Sequence, residues 1–166
     1  MKNVNRITVT PNRIDVRKWT KRILSTKSNN ILQGWGTRSL KKEIRNGYEE
    51  YTGIKGARLY ASAWPLILQD KQSLDKHSRG GGADVSADHH LCATFFVKSP
   101  ANFHIYFQGT PVYNAPGSLV CYSPIIEQWS DIVIDQRISV EVDIYSDEFI
   151  LNNPPPAEIK ERYVRI

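Results

Sequence analysis

The run from Arg137 to Tyr145 constrains this chain more than any other segment. Ile138, Val140, Val142 and Ile144 alternate strictly with Arg137, Ser139, Glu141 and Asp143. A period of two places the four branched apolar side chains on one face of an extended strand and the four polar ones on the other. The pattern demands a sheet with one buried face, and the polar face is expected to be wet.

Other segments supply partners for that strand. Ala57 to Leu68 reads as a buried strand or strand pair broken near Pro65, because proline cannot donate to a ladder. Leu91 to Val97, Phe103 to Gln108 and Ser118 to Tyr122 are further strand candidates, punctuated by Pro100, Pro111, Pro116-Gly117 and Pro124. Arg6 to Thr10 suits a short edge strand or an extended arm. Leu40, Ile44, Tyr48 and Tyr51 recur at helical spacing, with Thr37 or Ser39 as cap and Gly53 where a C-terminal glycine is expected. Gly47 inside this helix is expected to cost about 1 kcal/mol relative to Ala. Residues 69 to 90, with the Gly80-Gly81-Gly82 run, read as a long exposed loop.

With 166 residues the chain is long enough for one sizeable core. The expected division is a basic N-terminal arm at 1–34, a globular domain at 35–151 and a proline-rich, charged tail at 152–166. The net charge of +5 is uneven: residues 1–60 carry +10 and the remainder −5. Two patches dominate, Arg13, Arg17, Lys18, Lys21, Arg22 and Lys27, then Arg38, Lys41, Lys42 and Arg45, interleaved with Trp19, Trp35 and Tyr48. Such a segment is drawn to nucleic acid, to an anionic membrane surface or to the acidic body of another copy. No apolar run approaches the ~18 to 20 residues that span a bilayer, so any membrane contact is expected to be peripheral.

Catalytic constellations are sparse. Asp84, Asp88, His89 and His90 offer metal-ligand chemistry, but adjacent histidines on an extended chain point apart, and no further acidic motif joins them. His104 is expected on the solvent face of its strand. Arg79 to Asp84 lacks the Gly-Lys-Ser/Thr ending of a phosphate cradle. Cys92 and Cys121, in strand-like contexts without CxxC spacing, are expected to be reduced and partly buried. No nucleophile motif is visible.

Two stretches, Tyr48 to Leu68 (YEEYTGIKGARLYASAWPLIL) and Arg137 to Glu148 (RISVEVDIYSDE), resemble the core of rhabdovirus matrix proteins. The resemblance implies an α+β fold, an antiparallel sheet of about five strands packed against two or so helices, with a flexible basic N-terminal arm. It also implies a non-enzymatic viral structural protein without a cofactor. Such a protein self-assembles, condenses the nucleoprotein-RNA complex and links it to the inner face of the envelope, in the virion and at host membranes. The family's Pro-Pro-x-Tyr budding motif has no counterpart, since Pro154 to Pro156 lacks the tyrosine. Two alternatives stand beside this reading: a small basic nucleic-acid-binding protein, and a metal-dependent hydrolase built on Asp84, Asp88, His89, His90 and His104.

Overall fold

The computed structural model describes residues 7–10, 14–80, 90–154 and 162–166. Its elements are β1 (Ile7–Thr10), α1 (Val16–Ser25), α2 (Arg38–Thr52), β2 (Leu59–Gln69), β3 (His90–Lys98), β4 (Ile105–Phe107), β5 (Thr110–Val112), β6 (Leu119–Tyr122), β7 (Gln128–Ser130), β8 (Gln136–Ser146), α3 (Asp147–Asn152) and β9 (Val164–Arg165).

The strands form two antiparallel sheets, one of six strands in the order β1-β6-β3-β8-β2-β9 and one of three in the order β5-β4-β7. The periodic segment read from the sequence is β8, near the middle of the larger sheet between β2 and β3. From β2 onward the chain alternates between the sheets. Residues 72–77 leave β2 and pair along β7, through Ser130 N to Leu74 O at 3.1 Å and reciprocal His77–Gln128 bonds of 3.0 and 2.7 Å, with Val133 N to Gln72 O at 2.7 Å just beyond the strand. The chain then returns as β3, crosses as β4 and β5, returns as β6, crosses as β7 and returns as β8. That alternation makes a jelly roll.

This architecture corrects the expected five-stranded sheet with helices on it. The apolar face of β8 does pack on helices, in one core with Trp19 and Ile23 of α1 and Leu40, Ile44 and Tyr48 of α2. Its polar face is not wet. Arg137 and Ser139 are fully buried and Glu141 nearly so, because this face turns toward the second sheet. Across the register Ser139 faces Phe96, Glu141 faces Thr94 and Asp143 faces Cys92. Alternating polarity therefore marks a strand with two buried faces, one of them lined by polar groups.

The flexible basic arm is likewise corrected. Residues 14–34 are part of the domain, with Ile14, Trp19, Ile23, Ile31 and Leu32 all buried in the helix-side core. Asp15 caps α1 by accepting from Arg17 N at 3.0 Å. Ile31 N then donates to Ala63 O at 2.9 Å and the buried Asn30 amide donates to Ala61 O at 3.0 Å, fastening the segment to β2. The loose apolar spacing hid this, because only Trp19 and Ile23, four residues apart, carry α1's buried stripe. Pro65 does not break β2. It pairs with β8 opposite Val140, and β9 covers only Tyr60 and Ala61, so no ladder partner needs a Pro65 N–H.

Helix α2 matches the sequence expectation, ending at Gly53 with φ 75°, where the left-handed region favours glycine. Packing explains the glycine at position 47, whose helix cost was expected from sequence. A Cβ there would lie 2.6 Å from Cys121 Sγ and 3.2 Å from Leu119 Cδ2, since α2 presses directly on β6. Gly47→Ala is therefore expected to destabilise the fold by about 1–3 kcal/mol through overpacking, despite alanine's better helix propensity. A denaturant melt showing Gly47→Ala more stable than the parent would contradict this packing.

Candidate functional site in the interior between the sheets

Polar residues on the inner faces of β3, β6, β7 and β8 form a continuous network. At its outer end the His77–Gln128 backbone pair brings the His77 ring to 3.2 Å from Gln128 Nε2. Tyr122 OH donates to Gln128 Oε1 at 3.2 Å and lies 3.3 Å from Thr94 Oγ1, which donates to Glu141 Oε2 at 2.8 Å. Ser139 Oγ donates to Glu141 Oε1 at 3.0 Å. The inward half of β8 thus supplies the deep end of the network and the 72–79 segment its mouth.

Two guanidinium groups sit in this interior in opposite conditions. Arg79 donates to Asp143 Oδ1 at 3.0 Å, Tyr122 OH at 3.2 Å, and Glu141 Oε2 and Ala93 O at 3.3 Å, and it lies over the Trp64 ring at 4.8 Å. Burial alone would lower its pKa, but Tyr122, Cys92, Asp143 and Glu141 around it raise it well above the ordinary value. Arg137 is fully buried, and among the described residues none of its three guanidinium nitrogens has a hydrogen-bond partner. Its carbon lies 5.5 Å from the ring centres of both Phe96 and Phe103, and Glu141 Oε1 is 4.0 Å from Nη2, beyond hydrogen-bond reach. Burial pushes its pKa down against the pull of Glu141 and Tyr122.

Beside Arg79, His90 Nε2, Cys92 Sγ and Asp143 Oδ1 lie within 4.8 Å of one another. The separations are 3.3 Å from His90 to Asp143, 3.3 Å from Cys92 to Asp143 and 4.0 Å from Cys92 to His90. A divalent ion bonded at about 2.0–2.3 Å to three such donors would set them at similar spacings. The occupancy of the site argues otherwise. Asp143 Oδ1 already accepts from Arg79, His90 and Cys92. Burial first, then the nearby acidic groups, hold the Cys92 thiol up despite Arg79, so it is a neutral donor to Asp143. Donor types and spacing suit a metal, but a cation is already present; as folded, the cluster does not fit a metal centre.

Burial raises the pKa of Asp143, but the hydrogen bond from His90 and the charge of Arg79 outweigh it, leaving the carboxyl below its usual value. A depressed carboxyl contributes stability that is complete above its unfolded value of about 3.9 and is lost as pH falls through the folded value. The stability of the parent chain is expected to fall below about pH 4 more steeply than that of Asp143→Asn. Parallel acid titrations of the two by circular dichroism check this, and coincident curves would contradict it.

An open cleft of about 450 Å³ reaches Asp143 from outside, lined by Asn29, Ser62, Trp64, Tyr145, Arg162 and Tyr163. Tyr145 stacks on His90 at 4.6 Å and closes that side of the cluster.

Of the candidate residues singled out from sequence, His90 lies in this cluster, and the other described ones lie elsewhere. Arg13, Asp84, Asp88 and His89 lie outside the described residues. Arg17, Lys18, Lys21, Lys27, Arg38 and Lys42 are exposed on the helical side and Lys41 is half-buried. Arg22 is committed to structure, donating to the carbonyls of Ile31, Gln33 and Trp35. Arg45 likewise donates to Ala57 O at 2.9 Å and to Ile166 O. His104 is exposed and bonded to Asp131 at 2.9 Å, apart from the buried His90. Arg79 reads from sequence as part of a loop tip, Cys92 as a reduced, partly buried thiol, and Arg137, Glu141 and Asp143 as a solvent face, whereas all five line this interior. The signal for Arg137, Glu141 and Asp143 is the alternation of four polar residues with the most strand-like run in the chain, and nothing comparable marks Arg79 or Cys92.

The sequence matches no family model and no curated protein. Solved structures match throughout most of the chain. SnoK, a non-heme alpha-ketoglutarate-dependent carbocyclase from nogalamycin biosynthesis, aligns with a TM-score of 0.69 and 13% identity over 96% of this chain and 91% of its own. The epimerase SnoN, solved in complex with Fe3+, alpha-ketoglutarate and nogalamycin RO, aligns with a TM-score of 0.61 and 13% identity over 84% and 78%. A Pseudomonas putida prolyl-4-hydroxylase aligns with a TM-score of 0.55 and 10% identity over 84% and 87%. The chain spans 54% of the non-heme monooxygenase ThoJ, with a TM-score of 0.54 and 14% identity over 68% of this chain.

These matches show the fold, and they correct the resemblance to rhabdovirus matrix proteins. The non-enzymatic matrix reading, with its nucleocapsid condensation, membrane linkage and budding, is overturned with it: the matching structures include a carbocyclase, an epimerase, a hydroxylase and a monooxygenase. The helix end and strand of Tyr48 to Leu68 are real elements, but they belong to a jelly roll. Of the readings drawn from sequence, the metal-dependent enzyme is nearer to these matches than the matrix protein.

Proposed function

We propose that this chain is a small-molecule enzyme domain on the non-heme oxygenase fold, which takes a carboxylate-bearing substrate or cosubstrate between its two sheets. The observation that carries this reading is the Arg137 guanidinium, fully buried between two phenylalanines with no hydrogen-bond partner among the described residues. A buried charge left this way costs several kcal/mol, which a fold tolerates where a ligand supplies the missing partner. A carboxylate matches the guanidinium fork with two parallel charge-assisted bonds. The flanking rings exclude water and strengthen the contact.

The alpha-ketoglutarate bound by SnoN is an acidic ligand of this chemical class, and it supports the choice of probe. The iron bound there is not carried over, because the candidate donor cluster is occupied by Arg79. The groups left to act on a bound molecule are the Asp143 carboxylate, held ionised and oriented by His90, and the polar line through Thr94 and Tyr122. Calorimetric titration with alpha-ketoglutarate, with succinate and with the neutral diester of each tests the reading. Saturable binding of the acids and none of the diesters is expected. Indifference to all of them, or equal binding of the diesters, would sink it.

A further inference from the structure

We propose that Arg79 is a built-in cation filling the ion position of the His90–Cys92–Asp143 cluster, so that the interior holds a guanidinium where a divalent metal would otherwise be bound. The three donor atoms lie within 4.8 Å of one another, the spacing one ion needs. Arg79 Nη2 is 3.0 Å from the carboxylate oxygen that both other donors share, and its Nη1 reaches Glu141 on the same strand. Its side chain is 7% exposed and is fixed from five directions, by Asp143, Glu141, Tyr122 OH, Ala93 O and the face of Trp64.

Backbone geometry holds it there. Arg79 follows His77 by two residues, and His77 is locked to Gln128 by reciprocal backbone bonds, so the guanidinium enters the sandwich from a fixed point. Among the described residues Arg79 already supplies the positive charge at this point, bonding the carboxylates of Glu141 and Asp143. A divalent ion would add like charge within hydrogen-bond range of Arg79 and must displace it. This inference deepens the small-molecule reading by identifying the positive centre beside the ligand space, and its test does not depend on ligand binding.

The test uses the full chain, stripped of metal and kept reduced, titrated with Co2+ while the thiolate-to-cobalt absorption band is followed. The parent chain is expected to give no saturable band. Arg79→Ala, and Arg79→Gln as a milder second variant, are expected to gain a one-to-one band, with affinity for Co2+ raised on the order of 100-fold by removal of the competing charge. Adding Cys92→Ala to either should abolish that band. A saturable band in the parent chain overturns the proposal whatever the variants do. So does failure of both variants to gain one while circular dichroism shows them folded. Loss of alpha-ketoglutarate binding with these cobalt results intact would overturn the carboxylate reading alone.

Discussion

Replacing Arg137 with methionine is expected to abolish carboxylate binding and, at the same time, to leave the fold as stable or more so. The two effects share one cause. Without a ligand, Arg137 is a desolvated charge whose nitrogens lack partners among the described residues, and its nearest carboxylate oxygen is 4.0 Å away. Substituting an apolar side chain of similar length removes that cost, and buried charges replaced in this way leave proteins unchanged or about 1–4 kcal/mol more stable. Glu141 keeps its bonds from Ser139, Thr94 and Arg79, so no carboxylate is orphaned by the change. With a ligand, the same substitution removes a buried charge-assisted pair, worth about 2–5 kcal/mol, or roughly 30-fold to several thousand-fold in affinity. Denaturant melts and calorimetry on the same preparations check both halves. A residue with a purely structural role would move both quantities down together.

Trp19→Ala is expected to remove about 3–5 kcal/mol of stability, a large share of the 5–15 kcal/mol typical of a domain. Trp19 is 3% exposed, meets Phe95 edge-to-face at 6.0 Å and packs in the same core as β8's apolar face. Its loss leaves a cavity between α1 and the larger sheet. Exposed basic neighbours on the same helix, such as Lys18 or Lys21, should tolerate alanine within about 0.5 kcal/mol. Chemical denaturation in which Trp19→Ala matched those surface variants would show that the amino-terminal segment hangs free of the domain after all.

Much of the secondary structure was legible. Strand periodicity located β8 and most of β2, β3 and β6, and helical spacing with Gly53 located α2, because each buries one continuous apolar face on the helix-side core and so repeats at its own period. The second sheet was not legible in the same way. Strands β5 and β7 are three residues long, too short to show alternation, and 72–77 pairs with β7 only through isolated backbone bonds of Leu74 and His77. Without that sheet, the polar face of β8 reads as solvent-facing and Arg137, Ser139, Glu141 and Asp143 read as ordinary surface. Charge misled in the same direction: a concentration of Lys and Arg in residues 1–60 suggested an arm, while Trp19, Ile23, Ile31 and Leu32 among them were building the core. Arg79 was hidden by its glycine-rich context, since only the fold brings it to Asp143, sixty-four positions away.

A carboxylate bound at Arg137 would lie against the backbone of β8 and β3, and amide resonances report on that contact directly. Uniformly 15N-labelled parent chain and Arg137→Met would be titrated side by side with alpha-ketoglutarate and followed by two-dimensional NMR. Saturable shifts centred on Phe96, Phe103, Arg137 and Ser139 in the parent chain, with none in the variant, are the predicted result. Absence of saturable shifts at those residues in the folded parent chain, or the same shifts in Arg137→Met, would contradict it.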